Sequence, residues 1–270
     1  MKELFELIDS YINKDDYFII NTGEKSVLIA CFPYLPYEKF DKYHGAIDAY
    51  YYTSNESYFL VKELIGKINE MGINAEFSKE YVKPLVVKAN FGEKLKSSLV
   101  AVQKYGTRVV FQAVDVYLRV EKLGSYKSKN LCDGCDKCVV ACPNNALEQG
   151  FNRAKCLRNF QDLTDLGEPS EKRAQQNRII GCDTCQRVCP YNKEVTEKPI
   201  PSELYEFCKL ENLLEKSREG RKSLDFLEKY VGKNFLRVNR IRRMTVNAIL
   251  NSGSEGLVEK LTKEEKEGNF

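Results

Sequence analysis

The 270-residue sequence has no long hydrophobic run, almost no net charge and a single histidine. Its longest apolar stretch, Val27–Phe32, falls far short of the ~20 residues that span a bilayer. The opening MKELFELIDSYINKDD has neither a continuous apolar segment nor a small-residue cleavage site, so it does not read as a secretory signal. The expectation is a soluble cytoplasmic protein with no membrane attachment. Lys and Arg number 42 against 39 Asp and Glu, a formal net charge of +3. That excludes a bulk electrostatic grip on nucleic acid and leaves only local patches. No solenoid-like repeat is evident. The one histidine, His44, precedes a glycine in a polar segment and reads as an exposed structural residue rather than a ligand or proton shuttle.

What the sequence has is cysteine, ten in all, eight of them between Cys132 and Cys189. Disulfide scaffolds are short secreted chains, so this clustering favours metal. Around the cluster the pattern divides the chain in three. Residues 1–125 alternate helices and strands: Leu4, Leu7, Ile8 and Tyr11 at helical spacing, a buried strand over Ser26–Phe32 and a helix over Tyr58–Met71 closed by Gly72. A short strand over Ile73–Phe77, a helix at Leu85–Ala89 behind Pro84, and strands at Leu99–Val102 and Arg108–Leu118 complete it. The polar Gly124–Asn130 reads as a linker. Residues 131–200 form the cysteine module, and 202–262 are helical in pattern, with a frayed tail after Leu261. The fold class expected is an α/β N-terminal domain, a ferredoxin-like double 4Fe–4S cluster domain and a short C-terminal helical region.

The first cysteine run is Cys132-x2-Cys135-x2-Cys138-x3-Cys142-Pro143, the spacing of bacterial ferredoxins. Three cysteines wrap one cubane, and the fourth, before proline, ligates a second. Downstream lie Cys156 and Cys182-x2-Cys185-x3-Cys189-Pro190, which close the ligand count at eight. The assignment is Cys132, Cys135, Cys138 and Cys189 for one cluster, and Cys142, Cys156, Cys182 and Cys185 for the other. A pair of zinc knuckles is the competing reading, since C-x2-C spacing alone allows it. Gly134, Ala141, Gly181 and Thr184 suit close approach to sulfide, or simple loop packing. Cys31 ends an apolar strand and reads as a core residue, Cys208 falls on a helix, and neither spacing suggests a ligand.

The strings CDGCDKCVVACPNNAL, AKC around Cys156 and IIGCDTCQRVCPYN resemble the iron–sulfur domain of the epoxyqueuosine reductase family. The likeness extends more weakly to EKSVLIACFPY, VKPLVVKANFG and NFLRVNRIRRMTVNAIL, the last resembling the start of the family's C-terminal helical repeats, here cut short. It implies a cobalamin-binding α/β domain fused to the clusters, with electrons passing to cobalt to reduce an epoxide on the wobble nucleoside of tRNA. It also implies a carboxylic acid near the cobalamin as proton donor. Two positions depart from the family. Asn55 stands where the family has Asp before Tyr-His, and an amide cannot donate an acidic proton. Glu56, beside it, would substitute for that Asp after a one-residue slip, or else reads as a first-turn helix acid near Ser54. The family's Gly-Trp-x-Gly-Lys loop reads Gly92-Glu93-Lys94-Leu95-Lys96, where Leu95 would obstruct a ligand that a glycine admits. The alternative is therefore a cobalamin-free electron-transfer protein on the same scaffold.

Lys233, Arg237, Arg240, Arg242 and Arg243 form a basic stripe that could meet tRNA phosphates, with Tyr126, Lys127 and Lys129 as additions. Tyr50–Tyr52 suit packing around a pocket. The electron donor is not legible.

Overall fold

In chain order the computed structural model runs α1 (Lys2–Tyr11), β1 (Tyr17–Asn21), β2 (Ser26–Pro33), β3 (Ala46–Ile47), α2 (Tyr50–Glu70), β4 (Ala75–Phe77) and α3 (Val82–Lys88). There follow β5 (Gly92–Lys94), β6 (Val100–Val102), β7 (Val109–Val116), α4 (Lys137–Ala141), α5 (Leu157–Phe160), α6 (Pro169–Gln175), β8 (Arg178–Ile180) and α7 (Thr184–Arg187). Five α-helices follow among the described residues: α8 (Ser202–Phe207), α9 (Leu210–Glu219), α10 (Glu228–Val231), α11 (Val238–Ser252) and α12 (Glu255–Lys266). The structure describes residues 1–161 and 169–266. These form two compact units built from interleaved segments, Met1–Leu35, Thr53–Lys137 and Gln186–Val195 in the first, and Pro36–Tyr52, Cys138–Cys185 and Thr196–Phe270 in the second. The units cut across the sequence division at 1–125, 131–200 and 202–262.

The first unit is an antiparallel sheet in the order β1-β2-β7-β4. Its strands bury both faces, which is why Val27–Phe32 is continuously apolar instead of alternating. Tyr17, Ile19, Leu28, Ala30, Val114 and Val116 face one side, with Leu4 and Ile8 of α1 and Leu64 and Ile68 of α2. Phe18, Ile20, Val27, Ile29 and Ala113 face the other, against Val86 and Ala89 at α3. The period of two within each strand sorts these residues to opposite faces. β1 escaped the sequence reading although Thr22–Lys25 closes a tight hairpin onto β2, with Gly23 at φ +109°. A second hairpin pairs Gly92–Lys94 with Val100–Val102.

Helix α2 begins eight residues before the expected Tyr58. Asp48 explains the early start: its Oδ1 accepts the Tyr50 N–H at 3.0 Å, satisfying an orphan donor at the helix head. Glu56 consequently lies beyond the first turn, which holds no acid, so it is not a dipole-complementing residue. Gly72, at φ +78°, closes the helix as expected.

The second unit pairs β3 with β8 in parallel and packs α8 to α12. Leu204, Leu213, Leu214, Ile241, Met244, Ala248 and Ile249 form its apolar interior. The expectation of a frayed tail after Leu261 is corrected: α12 runs to Lys266, and only residues 267–270 of that tail lie outside the described residues. Among the described residues, no helix is long and apolar enough to cross a membrane.

Candidate metal centre

No disulfide joins any of the ten cysteines, and burial splits them as the spacing did. Cys31 and Cys208 are fully buried, 2% and 0% exposed, and burial drives both thiols far up, with the charge of Asp16 adding to it at Cys31. Cys132, Cys135, Cys138, Cys142, Cys156, Cys182, Cys185 and Cys189 are all half-buried, which leaves their sulfurs a face to offer.

Four of these, Cys142, Cys156, Cys182 and Cys185, lie in the second unit with Cys138. Burial raises the Cys185 thiol, and charge on Cys182, Cys156, Cys138 or Cys142 would raise it further. Sulfurs that repel one another as thiolates need a cation among them, and soft thiolates suit iron–sulfur iron. The segment Arg178–Gln186 is set by its neighbours. Gly181 has φ +87°, and a Cβ there would lie 2.5 Å from Asp48 Cβ. Gln161 clamps its peptide, Oε1 accepting the Gly181 N–H at 2.7 Å and Nε2 donating to its carbonyl at 3.2 Å. This packing accounts for a glycine at 181. Burial raises the half-buried Cys182 thiol, and the Arg178 guanidinium, which donates to the Thr184 hydroxyl at 2.8 Å, offsets part of that rise. The Ala146 N–H donates to Cys142 Sγ at 3.2 Å, and Asn144 ties this turn to the Lys155 carbonyl at 2.7 Å, next to Cys156.

Cys132, Cys135 and Cys189 lie in the first unit. Here the side chains of the CQRVCPYN string act as anchors. Gln186 Nε2 donates to the Thr107 carbonyl at 2.7 Å, and its Oε1 accepts from Tyr34 at 3.0 Å. Asn192 Oδ1 accepts the Thr107 N–H at 2.8 Å, while its Nδ2 donates to the Thr107 hydroxyl and the Gln186 carbonyl, both at 2.8 Å. Gly106, at φ +55°, makes room: a Cβ would stand 2.2 Å from Asn192 Oδ1. Sequence reasoning recognised the string but not this role, although buried amides need partners and so signal an anchor.

The hairpin β5–β6 carries further residues that the sequence reading passed over. The Glu93 carboxylate accepts from the hydroxyls of Tyr126 (2.7 Å), Ser128 and Tyr191. Burial pushes Glu93 up, but these three donors pull it below the usual carboxylate range. The Lys96 N–H donates to Cys132 Sγ at 3.3 Å, and its ammonium pairs with Asp136 at 2.8 Å. Leu95 is only 5% exposed; its side chain is tucked inside the unit and does not project as the sequence suggested. Asn55 is half-buried and Glu56 exposed on α2.

Other expectations change. His44 is buried, not exposed, at 7%. Its ring stacks on Tyr205 with centroids 3.8 Å apart, and Nδ1 meets Asp41 Oδ1 at 2.7 Å. Within the basic stripe, Arg242 donates to the Ser217 carbonyl at 2.7 Å and Arg243 to the Gln161 carbonyl at 3.3 Å, whereas Lys233 and Arg237 are exposed. Tyr126 is committed to Glu93, while Lys127 and Lys129 are exposed. Tyr51 is buried, edge-on to Phe235 at 4.6 Å and accepting from Arg158 at 3.1 Å. Among the described residues, no three His, Cys, Asp or Glu side chains gather as for a single metal ion.

Residues 131–192 match the family model of the 4Fe–4S double cluster binding domain. Module and scaffold together define an iron–sulfur protein of the double-cluster class, an α/β unit with a helical C-terminal region. Epoxyqueuosine reductase of Cyclobacterium marinum is 28% identical over 187 residues, covering 63% of this chain and 59% of that protein. The Bacillus cereus epoxyqueuosine reductase is 49% identical over 65 residues, covering 23% of this chain and 17% of that protein. A crystal structure of epoxyqueuosine reductase with an epoxyqueuosine-modified tRNA-Tyr stem loop superposes with a TM-score of 0.79 at 17% identity, covering 97% of this chain and 84% of that chain. The chain is similar to these epoxyqueuosine reductases, and it spans less than two thirds of the length of the Cyclobacterium protein.

Proposed function

We propose that this chain is an iron–sulfur oxidoreductase of the epoxyqueuosine reductase type, acting on tRNA in the cytoplasm. Cys132, Cys135, Cys138 and Cys189 would hold one 4Fe–4S cluster and Cys142, Cys156, Cys182 and Cys185 the other. The observation that carries the reading is the set of eight half-buried thiols in ferredoxin order, flanked by the Gln186 and Asn192 anchors. When bound, the clusters supply one-electron storage. Reduction of an epoxide to an alkene takes two electrons and two protons and releases the oxygen as water, so an external electron donor is required. The chain's residues fit the clusters by donor chemistry. The corrinoid rests on the family likeness, and no residue is assigned to it.

Asn55 favours a second reading, a cobalamin-free electron-transfer protein, because no acid stands at the family's Asp position. Anaerobic purification with iron and sulfide counts, followed by cobalamin titration under visible spectroscopy, separates the two. About eight iron and eight sulfide per chain are expected, and a colourless zinc protein would sink both readings. Corrinoid binding, followed by turnover of an epoxyqueuosine-bearing stem loop, supports the reductase. Clusters without corrinoid binding support the electron carrier.

A further inference from the structure

The β5–β6 hairpin lies where this chain departs from the family's Gly-Trp-x-Gly-Lys loop, and it reaches the cysteine-bearing segments of its own unit. Tyr126, Ser128 and Tyr191 all donate to the Glu93 carboxylate. The Tyr191 oxygen in turn accepts the Leu131 N–H at 3.2 Å. Leu131 directly precedes Cys132, and Tyr191 follows Cys189 by two residues. Three residues along the hairpin, the Lys96 N–H points at Cys132 Sγ at 3.3 Å, and the Lys96 ammonium pairs with Asp136, next to Cys135. The turn that aims this N–H is itself closed by two backbone bonds, Leu95 N–H to the Leu99 carbonyl and Ser98 N–H to the Leu95 carbonyl, both 2.9 Å. A carboxylate holding three hydroxyls is fixed in orientation, so both cysteine segments are referenced to one hairpin.

We propose that Glu93 is a positioning residue that, through Tyr191 and Leu131, holds Cys132 against the Lys96 N–H, and that this N–H sets the electron affinity of the cluster Cys132 serves. The inference rests on the cluster reading above. A donor to a cysteine sulfur stabilises the extra negative charge of the reduced cluster, so the bond raises the reduction potential. Neither Glu93 nor Lys96 is an iron ligand; each acts through Cys132.

The test is an EPR-monitored redox titration of the full chain purified anaerobically, comparing wild type with Tyr191→Phe, Glu93→Gln, Lys96→Pro and Lys96→Ala. Lys96→Pro deletes the N–H and Lys96→Ala keeps it. The expected result is a downward shift of one cluster's potential in Lys96→Pro and Tyr191→Phe. The other cluster stays in place, iron content is unchanged, and Lys96→Ala shifts less than Lys96→Pro. If Lys96→Pro fails to fold, Tyr191→Phe, which removes one oxygen, decides. Two clusters that titrate as wild type in every folded variant would overturn this proposal and leave the cluster reading intact. A wild-type chain without iron would overturn both.

Discussion

Asn192 and Gln186 show how much a single amide can carry. Each is 8% exposed, and together they satisfy the backbone of Thr107, itself 3% exposed. Asn192→Ala would strand the buried Thr107 N–H, at a cost of about 1–3 kcal/mol. Thermal melting of the cluster-loaded protein should fall by about 2–4 °C for each kcal/mol lost. An unchanged melting temperature would show that the anchor is dispensable. Asp41 offers a pH-dependent case. Burial pushes its carboxyl up, but hydrogen bonds from His44, Tyr205 and the Tyr43 N–H hold it below the ordinary carboxylate range. A group depressed in the folded state contributes stability above its unfolded pKa of ~3.9 and loses it as pH falls through the lower folded value. Asp41→Asn should therefore flatten the acid limb of a stability-against-pH curve from urea melts, chiefly below pH ~4. Parallel acid limbs in the two proteins would count against this assignment.

At the scale of elements, the turn from β8 into α7 is held by a glycine that has no alternative. Gly181 combines a left-handed φ with a neighbour, Asp48, that already occupies the space of a Cβ. Asp48 is also the residue that starts α2, so it is not free to move away. Gly181→Ala should displace the peptide clamped by Gln161 and, with it, Cys182. The iron content is expected to drop from about eight toward about four per chain, the loss of one cubane. Full iron content in this variant would mean that the turn tolerates the strain. The hairpin β5–β6 follows a different logic: its apolar residues, Leu95 and Val100 to Val102, are buried, while its polar ones, Glu93 and Lys96, meet the cysteine segments.

At the scale of the whole molecule, the eight thiols should behave as two sets of four. Cys185→Ala removes a half-buried thiol that feels Cys182, Cys156 and Cys142 of its own set and Cys138 of the other. One cluster should vanish and the other remain, read as about four irons per chain and a single reduction wave. Loss of all iron would show that the sets are not independent. Cys31→Ala and Cys208→Ala should leave iron content untouched, because both thiols are fully buried.

The sequence by itself determined the likeness of residues 131–192 to a 4Fe–4S double cluster domain, because cysteine spacing is local and a C-x2-C-x2-C-x3-C-P run is written in one dimension. It also determined most strands and helices of the first unit, where apolar periods of 2 and 3.6 are strong. Tertiary structure alone decided the rest. Whether His44 is exposed depends on Tyr205, far along the chain, stacking on it. Whether Arg242 and Arg243 face solvent depends on the carbonyls of Ser217 and Gln161 brought beside them. Leu95 looked like an obstruction because sequence gives a residue's size but not its direction, and here the side chain is packed inward. Glu93 looked like a lost family motif, yet three hydroxyls from Tyr126, Ser128 and Tyr191 converge on it. Contacts between residues this distant in sequence leave no periodic trace, so only the folded chain places them together.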